Sequence, residues 1–466
     1  MTSRTSTRLI SATSTSVHLV VSVSVGGVRR SGAKAPPWQA LRPLTASRPG
    51  TDDEKDGEIK WVMAMARKKV LVLGGNFGGL TAAIAVKHEL RGDVDVRVVS
   101  ASDRFLFNPS LIWIPFGLRA PQDISFSVAP TFERHGVDFV HAAATRIDPV
   151  SRKVETGAGV YDYDYLVIAT GYRNDFGVVP GLGPGGNAYT ITTMDDALQA
   201  QEGWRRFQSE PGPVVVAATQ GAGCFGAAYE FLFNLAYQLK KAGLKDAAPL
   251  TYVTSEPFLG HFGIGGLPGG ERLLGMFTRK ERIRVHTGTE LAGVDRDAII
   301  TTDGDELPFT YAMVIPPFLG QEVVATADGL ADPKRYVPVR DTYQSTRYDD
   351  IYAVGIAAAV TVPWITPVPV GVPKTGFPTE RQAHVAARNI AAAIRGEPLK
   401  AHKSFGDIPA VCVMDAGNNG VMILADKMLP PRKMGVLIPG PQAHGAKLAF
   451  EKYFLWKARK GYVGLP

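Results

Sequence analysis

The sequence predicts an α/β fold of two parallel, helix-covered sheets, the second inserted into the first. Three observations carry that prediction. Two strand, glycine-turn, helix units stand at 70–90 and 214–240, each followed by a further short β-branched run. Two more buried-looking runs, 165–168 and 351–354, stop at small residues and flank the second unit. A chain that returns to its first sheet after completing another gives a discontinuous domain.

The first unit begins with Val70-Leu71-Val72-Leu73, a continuous apolar run of the kind buried on both faces of a parallel sheet. It ends in Gly74-Gly75-Asn76-Phe77-Gly78-Gly79 and opens into a helical stretch from Leu80 to Leu90. Glycines here permit a tight turn and let backbone N–H groups approach a pyrophosphate, which the helix dipole favours. Asn76 replaces the middle glycine, and the spacing predicts a positive φ there, which Asn tolerates better than most residues. The next strand, Val94 to Val99, ends at Ser100 rather than at the acid that usually holds a ribose hydroxyl. Tyr165–Ile168 finishes in Ala169-Thr170-Gly171, and Ile351–Val354 finishes in Gly355. In this order the three segments match the places where two-dinucleotide flavoproteins touch FAD.

The second unit runs from Val214–Ala217 into Gly221-Ala222-Gly223-Cys224-Phe225-Gly226, with a helix from Ala227 to Lys240 and a strand from Thr251 to Thr254. Its glycine spacing suits a nicotinamide dinucleotide, but one of the chain's two cysteines sits inside it. A thiol at a helix N-terminus is expected to have a lowered pKa and to serve as a nucleophile. Ser255-Glu256 reads alternatively as a ribose-binding acid, one position late. The resulting two Rossmann-like domains occupy 65–190 with 335–398, and 191–334. Residues 399–466 form a third segment. Residues 1–64 are expected to be a disordered extension, or to precede a true start at Met63 or Met65.

Composition narrows the function classes. The net charge of +7 comes from the two ends of the chain, so the sequence gives no nucleic-acid-binding domain. Two cysteines supply no disulfide framework, and the nine histidines show no metal-ligand spacing. No apolar run is long enough to span a membrane. Homo-oligomerisation stays open.

Specific strings add a family resemblance. Gly221–Phe231, Ser255-Glu256-Pro257, Gly260-His261-Phe262-Gly263, Pro367–Gly376 and Phe450–Leu455 resemble the sulfide:quinone oxidoreductases. These are two-dinucleotide flavoproteins related to flavocytochrome c sulfide dehydrogenase and type II NADH dehydrogenase. The resemblance implies FAD held by Gly74, Gly75, Asn76, Gly78, Gly79, Ser100, Thr170, Gly171 and Gly355, with Lys374 and Gly376 near its isoalloxazine. It implies Cys224 as the redox cysteine, Glu230 and His261 as proton-handling residues, a reduced sulfur compound as electron donor and a quinone as acceptor. It also implies a C-terminal amphipathic helix that attaches the protein to a membrane surface as a peripheral, monotopic protein of the cytoplasmic membrane.

Three departures qualify it. Ala357 stands where the second redox cysteine is expected, Thr192 replaces another family cysteine, and Cys412 aligns with a cysteine outside the redox pair. This leaves a one-cysteine route with an external sulfur acceptor, or a changed substrate. A type II NADH:quinone oxidoreductase and a flavin-binding sulfur sensor remain the alternatives. In the C-terminal helix, Ala446, Ala449, Phe450, Tyr453 and Phe454 share the apolar face, with Trp456 at its edge. Lys447, Glu451 and Arg459 point away, and Lys457 and Lys460 snorkel from the last turn. Met422–Leu424 and Met428–Pro431 are expected to extend the apolar platform.

Overall fold

A computed structural model describes residues 67–465; the expectation for residues 1–64 lies outside them. The first part of the chain contains strand β1 (Lys69–Leu73), helix α1 (Phe77–Glu89), and strands β2 (Asp95–Ser100), β3 (Asp138–His141) and β4 (Tyr165–Ile168). Helix α2 (Met194–Ser209), strand β5 (Val214–Ala218), helix α3 (Phe225–Lys241) and strands β6 (Leu250–Thr254), β7 (Arg284–His286) and β8 (Tyr311–Ile315) follow. The chain then makes β9 (Ile351–Ala353), α4 (Gly376–Ile394), the strands β10 (Ala410–Asp415), β11 (Gly420–Ala425) and β12 (Gly435–Pro439), and helix α5 (Pro441–Lys460).

The first sheet has the order β9-β4-β1-β2-β3, parallel throughout. Val70 to Leu73 are almost wholly buried, as a strand covered on both faces requires. Helices α1 and α4 pack together on one face. Ala82, Ala83, Ala383, Ala386 and Ala387 of these helices share one buried cluster, with side chains small enough to let the helices approach closely.

The second sheet, β7-β6-β5-β8, is also parallel and lies in sequence between β4 and β9. Its core is aromatic, with Tyr229, Phe231, Trp204 and Tyr311 packed around β5 and α3. Strand β9 then returns to pair with β4, so the expected interrupted architecture is present. Both glycine turns follow the carboxyl end of a strand, where parallel sheets bind ligands.

The final segment forms an antiparallel sheet, β10-β11-β12, which packs against α3 and α5. This third layer brings Cys412, Asp415 and Lys447 toward the second glycine turn.

Candidate functional site

Gly74 adopts φ +101°, and a Cβ there would lie 2.3 Å from the Ala169 carbonyl oxygen, so the turn is closed against the end of β4. Asn76 corrects the expectation of a positive φ: its φ is −90° and its ψ −156°. Its side chain explains its presence, because Nδ2 donates to Asn108 Oδ1 at 3.3 Å and Oδ1 accepts from the Leu106 N–H at 3.4 Å. Asn76 therefore fastens the turn to the neighbouring segment and leaves the first-turn N–H groups of α1 without a side-chain cap.

The other predicted residues gather on this turn. Ser100 Oγ lies 3.4 Å from the position a Gly75 Cβ would take, Gly78 faces Val354 and Ala169, and Gly79 backs onto the Gly74 carbonyl. A Cβ on Gly376 would meet the Phe77 ring at 2.7 Å, so the start of α4 touches the start of α1. The Gly355 N–H donates to Gln382 Oε1 of α4 at 2.5 Å. Gly171 lies open, and the Thr170 hydroxyl is buried without a protein partner. Uncapped helix donors, a buried orphan hydroxyl and a serine beside the turn are groups that a dinucleotide's phosphates and ribose complete. These residues fit FAD.

Lys374 is held by its surroundings. Nζ donates to the carbonyls of Ile356 (3.0 Å) and Ala358 (2.7 Å) and stands 3.5 Å from the Tyr336 ring centroid. Burial lowers its pKa to about 7.

The second glycine turn differs from the first. Three of its N–H groups are already used: Gly221 donates to Pro369 O (2.6 Å), Ala222 to Thr219 O (2.9 Å) and Gly223 to Pro316 O (3.0 Å). Gly371 lies so close that its Cβ would be 2.1 Å from the Ala222 carbonyl oxygen, and the Phe318 ring fills the space at Gly223. Glu256, the alternative ribose acid, is fully buried. It accepts from Tyr229 Oη (2.8 Å), Thr254 Oγ1 (3.0 Å) and the Phe262 N–H (2.6 Å). Burial raises its pKa to about 7.

Cys224 is the N-cap residue of α3 and half-buried. The expected low pKa is not found. Burial pushes the thiol up, and Glu230 acts in the same sense; the Ala227 N–H, Lys447 and the Gly226 N–H oppose it without prevailing. Glu230 is buried, and its Oε1 accepts from Lys447 Nζ at 2.8 Å and from the Asp415 N–H at 2.7 Å. Burial raises its pKa in spite of Lys447. Burial alone would lower Lys447, but Glu230 and other nearby anionic groups keep it protonated.

Cys412 shares this neighbourhood. On β10 it alternates onto the same side as the buried Ala410 and Met414 but is itself exposed. Surrounding protein pushes its thiol up to about 12; Glu230 and Cys224 add to that effect, and Lys447 opposes it. Tyr172, next to Gly171 and stacked on Phe318 at 3.9 Å, also feels the charge of Cys224. Its stacking partner Phe318 is the ring that fills the space at Gly223, one residue before Cys224.

His261 lies apart from this group. Its ring is edge-on to Trp364 and Phe258, burial lowers its pKa, and among the described residues no hydrogen bond joins it to Cys224 or Glu230. Thr192 is bonded to Asn174 and Asp196, and Ala357 is buried in the short turn after β9.

Helix α5 reverses part of its expected orientation. Lys447, Glu451 and Lys457 are buried: Lys447 pairs with Glu230, Glu451 with Arg119 at 3.0 Å, and Lys457 with Glu380 at 2.9 Å. Phe454 is buried against Phe77, Phe105 and Phe107. Each buried charge meets a partner distant in sequence, which periodicity does not register. Ala449, Phe450, Tyr453 and Trp456 face outward, with Lys452, Arg459 and Lys460. Met428 and Leu429 are buried rather than part of a platform, whereas Val411, Leu424 and Val436 form an exposed cross-strand row.

A family model described as pyridine nucleotide-disulphide oxidoreductase matches residues 68–388. The sulfide-quinone reductase of Aquifex aeolicus (strain VF5) is 37% identical over 403 residues, covering 85% of this chain and 92% of its own. The X-ray structure of the sulfide:quinone oxidoreductase from that species matches with a TM-score of 0.80 at 36% identity, over 84% of this chain and 92% of the other. A type II NADH:quinone oxidoreductase of Staphylococcus haemolyticus (strain JCSC1435) is 33% identical over 121 residues, only 25% of this chain and 29% of its own. With the flavin turn, the occupied second turn and this near full-length likeness together, the chain belongs to the pyridine nucleotide-disulphide oxidoreductases and, among them, to the FAD-dependent sulfide:quinone oxidoreductase family.

Proposed function

We propose that the protein transfers electrons from sulfide through FAD to a membrane quinone, with Cys224 and Cys412 as the sulfur-carrying pair. The observation that supports this most is that both cysteines stand on the elements holding the buried Glu230–Lys447 ion pair: Cys224 caps α3, which carries Glu230, and Cys412 precedes Val413, whose carbonyl accepts from Lys447 Nζ at 3.2 Å. Cys412 thereby takes the part that the sequence comparison assigned to the position of Ala357. The Phe318 ring and Gly371 packed into the second glycine turn and the buried Glu256 speak against a nicotinamide donor.

In this reading, hydrosulfide adds to the disulfide form of the pair. One S–S bond forms as the other breaks, leaving a persulfide on one cysteine and a thiolate on the other. Glu230, ionised opposite Lys447, takes the proton that the entering sulfur gives up, and its burial strengthens its hold on that proton. Lys447 supports the thiolate by its charge. FAD supplies, when bound, the two-electron step between sulfur and quinone. Gly74, Gly75, Gly78, Gly79, Ser100 and Thr170 hold its phosphates and ribose, and Lys374 keeps the loop after Gly355 in place beside it.

Attachment to the membrane follows from the outer face of α5. Phe450, Tyr453 and Trp456 with flanking Lys452, Arg459 and Lys460 make an aromatic and basic surface suited to an anionic bilayer, on the cytoplasmic side if residues 1–64 are not a targeting peptide. No described helix is long and apolar enough to cross one.

The test is sulfide-dependent reduction of a soluble quinone analogue by FAD-loaded protein. Cys224→Ala and Cys412→Ala are each expected to lower kcat by on the order of 10²-fold or more. Near-normal turnover by Cys412→Ala would return the reaction to a one-cysteine route.

A further inference from the structure

The polar groups around Glu230 do not end at Lys447. Asp415, wholly buried at the end of β10, gives its N–H to Glu230 and its carboxylate to other partners. Oδ2 accepts from Trp113 Nε1 at 2.9 Å and from the Gly417 N–H at 3.3 Å, while Oδ1 lies 2.6 Å from His444 Nδ1. His444 is about one-third exposed and stands on α5 one turn before Lys447. One buried carboxylate thus joins a solvent-reaching imidazole to the segment that holds the active-site ion pair.

We propose that His444, oriented by Asp415, is the solvent end of a proton route serving the Glu230–Lys447 pair. The inference rests on the sulfide reading above. A proton leaves the entering sulfur, whose electron pair stays behind, and passes to Glu230. The Lys447 ammonium, held by Glu230 and coupled in charge to Asp415, gives one of its own protons toward the dyad and is reprotonated by Glu230, and His444 releases the proton to water. Asp415 fixes the ring with Nδ1 inward, so Nε2 is the nitrogen turned to solvent. The charged groups around the dyad are Lys447 from α5, Asp415 from β10 and Glu230 from α3; Arg119 and Glu451 lie beyond Trp113 and pair with each other.

The test is stopped-flow bleaching of the FAD-loaded protein by sulfide across neutral pH, for wild type and His444→Asn, with and without added imidazole. His444→Asn is expected to slow bleaching on the order of 10- to 100-fold. Imidazole is expected to restore the rate in a saturable manner, and the pH profile to lose a limb. A variant as fast as wild type, or a slow variant that imidazole does not accelerate, overturns the relay while leaving the sulfide reading intact. A wild type that sulfide does not bleach overturns both.

Discussion

Replacing Lys447 by Met removes the charge but keeps most of the length of a side chain that is only 4% exposed. Glu230 is then left with a single donor, the Asp415 N–H. An unpaired buried charge costs about 3–5 kcal/mol. The carboxyl group has an escape, since it can take up a proton. Holding a proton at pH 7 on a carboxyl whose ordinary value is 4.5 costs about 3.4 kcal/mol at 1.36 kcal/mol per pH unit. The loss in Lys447→Met is therefore expected near 3 kcal/mol at pH 7. Its pH dependence follows from the raised pKa in the folded state. The folded protein binds the proton more tightly than the unfolded chain, so the penalty is small near pH 4.5 and grows by about 1.4 kcal/mol per unit as pH rises. Urea denaturation of FAD-loaded protein across that range measures it, and Glu230→Gln in the Lys447→Met background is expected to recover most of the loss. A loss under about 1 kcal/mol, or one independent of pH, refutes the reasoning.

Glu256, raised to about 7, works in the same sense: its contribution to stability falls as pH rises from 4.5 toward 7, and Glu256→Gln is expected to flatten that slope in the same denaturation series. Gly74→Ala forces a side chain into a φ of +101° and against the Ala169 carbonyl. Strain of about 1–3 kcal/mol is expected to weaken FAD retention by roughly 5- to 150-fold, read as the flavin-to-protein absorbance ratio after gel filtration. Phe450→Ala with Trp456→Ala removes two exposed aromatics from α5, and co-sedimentation with anionic vesicles is expected to fall on the order of tenfold or more without a change in the thermal midpoint. Unchanged co-sedimentation places the membrane contact elsewhere.

Strand and turn patterns made both parallel sheets legible, because β1, β4, β5 and β9 are continuous apolar runs ending in small residues. The flavin turn was legible for the same reason. Local pattern misjudged the residues whose roles depend on distant partners. Local pattern gives Asn76 a backbone role, whereas it acts through hydrogen bonds to Leu106 and Asn108. Lys447 and Glu451 were placed on the outer face of α5, and their partners Glu230 and Arg119 lie hundreds of positions away. A helix start alone favours a low thiol pKa at Cys224, but burial outweighs it. Asp415, His444 and Tyr172 went unrecognised because nothing in their local sequence distinguishes them. Only the packing of the third sheet against α3 brings the first two to the thiol site.

The central claim is that sulfur chemistry at Cys224, rather than a nicotinamide, feeds the flavin. Anaerobic titration of the FAD-loaded protein with sulfide and with NADH, followed by the flavin spectrum and repeated with Cys224→Ala, tests it most directly. The account expects sulfide to bleach the wild type, NADH to leave it oxidised, and Cys224→Ala to resist sulfide. Bleaching by NADH that Cys224→Ala leaves unchanged would contradict it and make the second glycine turn a nicotinamide site.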